Sequence, residues 1–148
     1  MKTQCAYLGV EDRAKLRERL LVEGKTRDLE QEWARYKYSV LEHSQTIYND
    51  IRSLLKDKSK TPFVEFYGYV DQALRIPPDA GTAINAYQHV AGYFKTFWDT
   101  NQKAEFGILV EEFRAQKRTS EEIKAYLEKE ALRYNVLYLL DSYFFSIQ

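Results

Sequence analysis

The stretch Thr82 to Trp98, TAINAYQHVAGYFKTFW, constrains the chain most, because it is apolar along one helical stripe and polar along another. At helical spacing Tyr87, Val90, Ala91, Phe94 and then Phe97 or Trp98 form one face, which has to be buried against other elements. A second stripe carries Asn85, His89, Gly92, Tyr93 and Thr96, setting two planar polar side chains beside a glycine that costs about 1 kcal/mol in a helix interior. Two readings account for it. In one, another helix lies close over Gly92 while Asn85 and His89 make interior hydrogen bonds. In the other, the stripe lines a polar groove for a ligand.

Periodicity and capping signals divide the rest of the chain into further helices. Glu11 to Glu23 has a narrow apolar stripe through Leu16 and Leu20, with Gly24 placed to stop it. Residues 1–25 therefore read as a loosely attached N-terminal segment, its first ten residues extended or irregular. Thr26 caps a helix running to about Glu42 with Leu29, Trp33, Tyr36 and Val40 inward. In it Asp28, Glu30 and Glu32 favour the positive N-terminal end, and Arg35, Lys37, Glu42 and His43 sit near the edges.

Ser44 caps a third helix through Ile47 and Ile51, and Thr61-Pro62 starts a fourth that must end by Ile76, ahead of Pro77-Pro78. Thr100 is a cap for the helix holding Phe106 and Val110. Thr119 with Glu122 forms a capping box for the next, and Asn135 breaks or bends it. The terminal VLYLLDSYFFSI reads as a deeply packed C-terminal helix. No stretch alternates at period two, so the fold class is all-α: one domain over residues 1–148, an irregular bundle of six or seven helices.

Several chemistries are disfavoured. Cys5 is the only cysteine, so the chain by itself builds neither an intramolecular disulfide nor a thiolate metal site, and the compartment reads as reducing. Neither histidine has a second metal ligand at helical spacing, and no glycine-rich phosphate loop or GxSxG is present. No metal and no cofactor is expected. The first residues do not form a signal peptide and no window reaches eighteen apolar residues, which predicts a cytoplasmic protein with no membrane partner. Lys plus Arg and Asp plus Glu are 22 each, so any nucleic-acid affinity has to come from a local patch.

WARYKYSVLEHS at Trp33 to Ser44, NAYQHVAGYFK at Asn85 to Lys95 and QKAEFGILVEEFRAQK at Gln102 to Lys117 together resemble the YbgA-like domain, a bacterial family of unknown function. The run N-x-x-x-H-x-x-G-Y-F-K is met by Asn85, His89, Gly92, Tyr93, Phe94 and Lys95. The H-K-Y element appears as Tyr36, Lys37 and Tyr38, with tyrosine in place of histidine. The resemblance implies an RNA-binding accessory module related to thiolated transfer RNA, because the domain is often fused behind a thiouracil desulfurase-type domain with three cysteines and an iron-sulfur cluster. This chain lacks those cysteines, so the catalytic role does not carry over, and a separate desulfurase-type protein becomes the implied partner. After Lys117 the family's proline-containing segment is replaced by TSEEIKAYLEKEA.

The leading functional reading is a non-catalytic module for transfer RNA or other structured RNA. In it Lys37, His43, Asn85, His89, Tyr93, Lys95, Lys103 and Arg114 form the ligand-binding surface, cations holding phosphates and rings stacking on an exposed base. The alternatives are a small-molecule enzyme using Asn85 with His89 as general acid or base, and a structural or protein-interaction domain with no ligand.

Overall fold

The computed structural model describes residues 10–147, so Cys5 and the first nine residues lie outside the described part. Among the described residues there is no strand, as the all-α expectation requires, and there are eight helices, seven of them longer than a single turn, against the six or seven expected. They are α1 (Val10–Glu23), α2 (Thr26–His43), α3 (Gln45–Leu54), α4 (Phe63–Leu74), α5 (Ala80–Ala91), α6 (Thr100–Arg114), α7 (Ser120–Arg133) and the single-turn α8 (Leu137–Leu140). No helix is long and apolar enough to cross a membrane.

Helix α2 divides the interior. One of its sides, with Tyr36 and Val40, packs with Ile51 of α3 and with Phe66, Tyr67 and Val70 of α4. Its other side, with Tyr38 and Leu41, packs on Tyr87 and Val90 of α5, and that cluster continues through Phe94, Trp98, Phe106, Ile123, Leu127 and Phe144. The adjacent residues Tyr143 and Phe144 enter opposite clusters, and the Tyr143 amide donates to the Arg35 carbonyl at 2.8 Å, which pins the C-terminal segment onto α2.

Charge is buried on both sides of α2, against the sequence reading that put Glu32 and Glu42 at a helix end and an edge. Glu32 is wholly buried, accepting from the Tyr67 hydroxyl at 2.6 Å and from Arg35 at 3.0 Å. Glu42 accepts from the Tyr87 hydroxyl at 2.6 Å and faces the Lys124 ammonium. These bonds offset the desolvation that otherwise excludes carboxylates from a core.

Local signals set the helix ends, although at α2 Thr26 is the first helical residue rather than its cap, and the Lys25 amide before it donates to the Asp28 carboxylate at 2.9 Å. Ser44 Oγ accepts from the Ile47 amide and Thr119 Oγ1 from the Glu122 amide, the caps expected of them. Asp99 rather than Thr100 caps α6, because its carboxylate reaches the Gln102 amide at 2.8 Å. The organising helix stops at Ala91, and residues 92–97 continue as turns that still bury Phe94 and Trp98 while leaving Phe97 outside. The expected C-terminal helix is only α8. Ser142 Oγ donates to the Leu139 carbonyl at 2.6 Å and accepts from the Phe144 amide at 3.3 Å, a local alternative to helical pairing. Asn135, at φ 54°, ends α7 in the left-handed conformation that asparagine tolerates.

Helix α1 docks on α4 through the buried Leu20 and through Arg17, whose guanidinium makes two 2.7 Å bonds to Asp71 and lies 4.6 Å from the Tyr67 ring centroid.

Candidate functional site

Gly92 is exposed, and among the described residues no other element lies against it; a Cβ there would meet only backbone of the preceding turn, the His89 carbonyl at 3.1 Å. The close-approach reading of the polar stripe is thereby corrected. His89 is exposed too, and Asn85 is half-buried, its amide donating to the Gln45 side chain of α3 at 3.1 Å.

Where the stripe meets α2 and α8 it becomes a row of tyrosines. The hydroxyls of Tyr38 and Tyr93 lie 2.8 Å apart, their rings edge to face. Tyr93 stacks on Tyr138 with centroids 5.8 Å apart and planes 17° from parallel, and Tyr138 is 41% exposed. Tyr48 of α3 sits at the seam of the two core clusters, against Trp33. Burial holds the Tyr38 hydroxyl far above the usual tyrosine range, reinforced by its bond to Tyr93. Burial likewise raises Tyr48 and Tyr138, so these hydroxyls stay protonated at neutral pH and serve as donors or acceptors.

Two cations border the row. The Lys37 ammonium lies 5.9 Å from the Tyr38 centroid and the Arg52 guanidinium 5.9 Å from that of Tyr48, distances that suit a cation over a π face. Burial first and then Arg52 lower the Lys37 pKa, so the two positive groups sense one another. Among the described residues neither has a carboxylate partner within ion-pair distance.

The other residues singled out in the sequence have different places. His43 Nδ1 donates to the Ile76 carbonyl at 2.7 Å and braces the end of α2 against the α4–α5 connection. Lys95 is exposed in the turns after α5. Lys103 and Arg114 stand on the exposed side of α6, Arg114 being 3.5 Å from Glu111, and no described contact joins them to the tyrosine row. The structure thus gathers Lys37, Asn85, His89 and Tyr93 along the α2–α3–α5 surface. It adds Tyr38, Tyr48, Arg52 and Tyr138, of which Tyr48 and Arg52, one helical turn apart, left a signal in the sequence.

Beside Tyr138 a cleft of about 200 Å³ opens between α2 and the turn after α8, lined by Gln31, Ala34, Arg35, Tyr138, Asp141 and Ser142. Asp141 Oδ1 is sealed from solvent and accepts no hydrogen bond. Burial raises the carboxyl's pKa and Arg35 opposes that rise. A buried acceptor without a donor costs about 1–3 kcal/mol in general.

A family model described as "Protein of unknown function (DUF1722)" matches residues 37–148, which takes in the whole tyrosine row and leaves α1 and the first half of α2 outside. No curated protein and no solved structure matches the chain.

Proposed function

Since the chain belongs to the DUF1722 family of proteins of unknown function, the YbgA-like domains, we propose that it is a non-catalytic RNA-binding module whose contact surface is the tyrosine row and its flanking cations. The observation that carries this is the stacked pair Tyr93–Tyr138, open to solvent on the Tyr138 side and bordered by Lys37 and Arg52, neither of them ion-paired to a carboxylate among the described residues. Two such cations side by side favour phosphate. An exposed tyrosine ring already held parallel to a second ring favours an unpaired base, since its orientation is prepaid by the protein. His89 and Asn85 extend the same surface along α5.

The resemblance to YbgA-like domains supports transfer RNA or another structured RNA as the ligand and a separate desulfurase-type protein as the partner, with this chain holding RNA that the partner modifies. The neutral overall balance of charge fits a small footprint better than a broad basic face.

The test is a titration of a bulk transfer-RNA pool and of a uridine oligonucleotide at low and moderate salt. Affinity falls steeply with salt, and Lys37→Ala with Arg52→Ala flattens the logarithmic slope by about 0.7 for each phosphate of a single strand that the protein no longer neutralises. No binding at low salt, or an affinity indifferent to salt, overturns the proposal.

A further inference from the structure

Four aromatic rings join the turns after α5 to the end of α7 and to α8 as a ladder of two rungs. Tyr93 stacks on Tyr138, and Phe97 stacks on Tyr134 with centroids 4.5 Å apart and planes 8° from parallel. Because 93 pairs with 138 and 97 with 134, the two segments run side by side in opposite directions. The outer ring changes segment between the rungs: Tyr138 is 41% exposed and Phe97 55%, whereas Tyr93 and Tyr134 are half-buried. One face of Phe97 is thus covered by Tyr134 and the other is open, and the open faces of the two rungs look to opposite sides of the ladder. Tyr134 is held in place, its hydroxyl accepting from Gln102 Nε2 at 3.3 Å and its ring lying 6.1 Å from that of the buried Phe94.

The charges around the second rung favour an anion. Arg133, beside Tyr134 in the chain, is exposed. Lys95, between Tyr93 and Phe97, is exposed too and has no carboxylate within ion-pair distance among the described residues. The carboxylates near this rung are engaged: Glu130 accepts from Trp98 Nε1 at 2.7 Å and lies 3.7 Å from Arg133, and Asp99 caps α6.

We propose that Phe97 is a second base platform, and that the ligand of this surface is an unpaired RNA strand with two bases splayed apart, one on Tyr138 and one on Phe97. This rests on the RNA-binding reading above and narrows its ligand. Consecutive bases of a duplex are stacked on one another and cannot cover two open faces that look apart. The bases of a loop or a single strand can be splayed out and stacked on aromatic rings. Phenylalanine has no hydrogen-bonding group, so the second platform takes any base by its π-face and adds affinity without base preference. Lys95 and Arg133 supply positive charge for the phosphates beside it.

The test is fluorescence anisotropy of the full chain with uridine and cytidine oligonucleotides of about ten nucleotides, and with the duplex that the uridine strand forms with an adenosine strand. Both single strands bind, and the duplex binds at least about fivefold more weakly, the loss of one stacked base. Phe97→Leu keeps an apolar side chain but no π-face, and weakens both single strands by about 5- to 150-fold. Phe97→Tyr, which keeps the ring, retains the wild-type affinity. If Phe97→Leu binds as the wild type does while Tyr138→Ala still weakens binding, the second platform is overturned and the RNA-binding reading stands. If the wild type binds neither single strand, both fall. A duplex bound as tightly as the single strands overturns the splayed-strand ligand. A wild-type dimer in sedimentation that Phe97→Ser dissociates makes the ring a contact between copies of this chain, and overturns the platform as well.

Discussion

The ammonium of Lys124 lies 2.8 Å from Oε1 of Glu42, and each of these side chains is 3% exposed. The pair ties α7 to α2 inside the larger core cluster. It is an ion pair rather than an aligned hydrogen bond, since Glu42 Oε1 accepts none. The same ammonium donates to the Ile147 carbonyl at 2.7 Å and lies over the Phe144 ring, so it also holds the C-terminal segment. Lys124→Met leaves Glu42 as an uncompensated buried charge and is expected to cost about 3–5 kcal/mol, read from the urea midpoint. Adding Glu42→Gln removes the stranded charge and recovers part of the loss. A double variant as unstable as Lys124→Met alone would show that packing, not charge, sets the cost.

How far the sequence could be read depended on the range of the interaction. The caps at Ser44 and Thr119, the stop at Gly24 and the break at Asn135 depend on a few neighbouring residues, and each appears where local chemistry put it. Thr100 and Asp99 are both able to cap α6, and only the reach of the side chain chooses between them. The burial of Glu32, Glu42 and Lys124 had no local signal, because the Tyr67 and Tyr87 hydroxyls and the Glu42–Lys124 pairing are brought together from different helices. The polar stripe of α5 was visible, but its partner surface was not. Tyr138 belongs to a run so apolar that it reads as core, and it is Ser142 that ends that helix early and leaves the ring outside.

Gly24, not Gly92, is the glycine where close approach matters. A Cβ on Gly24 would lie 2.5 Å from the Phe63 ring and 2.5 Å from the Leu20 carbonyl. Gly24→Ala should therefore destabilise by about 1–3 kcal/mol through overpacking. Gly92 has helical φ of −55° and is exposed, and a Cβ there would lie 3.1 Å from the His89 carbonyl, so Gly92→Ala asks only for a shift of a few tenths of an ångström and costs less than Gly24→Ala. Thermal melts of the two variants check the contrast, and a Gly92→Ala as destabilised as Gly24→Ala overturns it.

Tyr138→Ala removes the outer ring of the stacked pair. RNA affinity is expected to fall by about 5- to 150-fold, the 1–3 kcal/mol worth of a stacked base, with little change in melting temperature because the ring is 41% exposed. His89→Ala, at another exposed position, should change stability by no more than about 0.5 kcal/mol. Its RNA affinity then decides its role: unchanged binding removes His89 from the contact surface while leaving Tyr138 in it.

Asp141→Asn tests the cost of the one carboxylate oxygen near α8 that is sealed without a donor. Burial holds the folded carboxyl above its ordinary range, only partly offset by Arg35. A carboxyl with a raised folded pKa stabilises the fold fully below the unfolded value, about 3.9, and that contribution is lost as pH rises through the folded value. At neutral pH the wild-type chain thus carries the penalty of an ionised group with a donorless oxygen, and the asparagine does not. One oxygen is sealed but the side chain as a whole is only partly enclosed, so the effect is modest. Urea midpoints should place Asp141→Asn above wild type at about pH 7, with the gap closing below about pH 4. If Asp141→Asn is instead the less stable protein at neutral pH, the carboxylate is already satisfied within the fold.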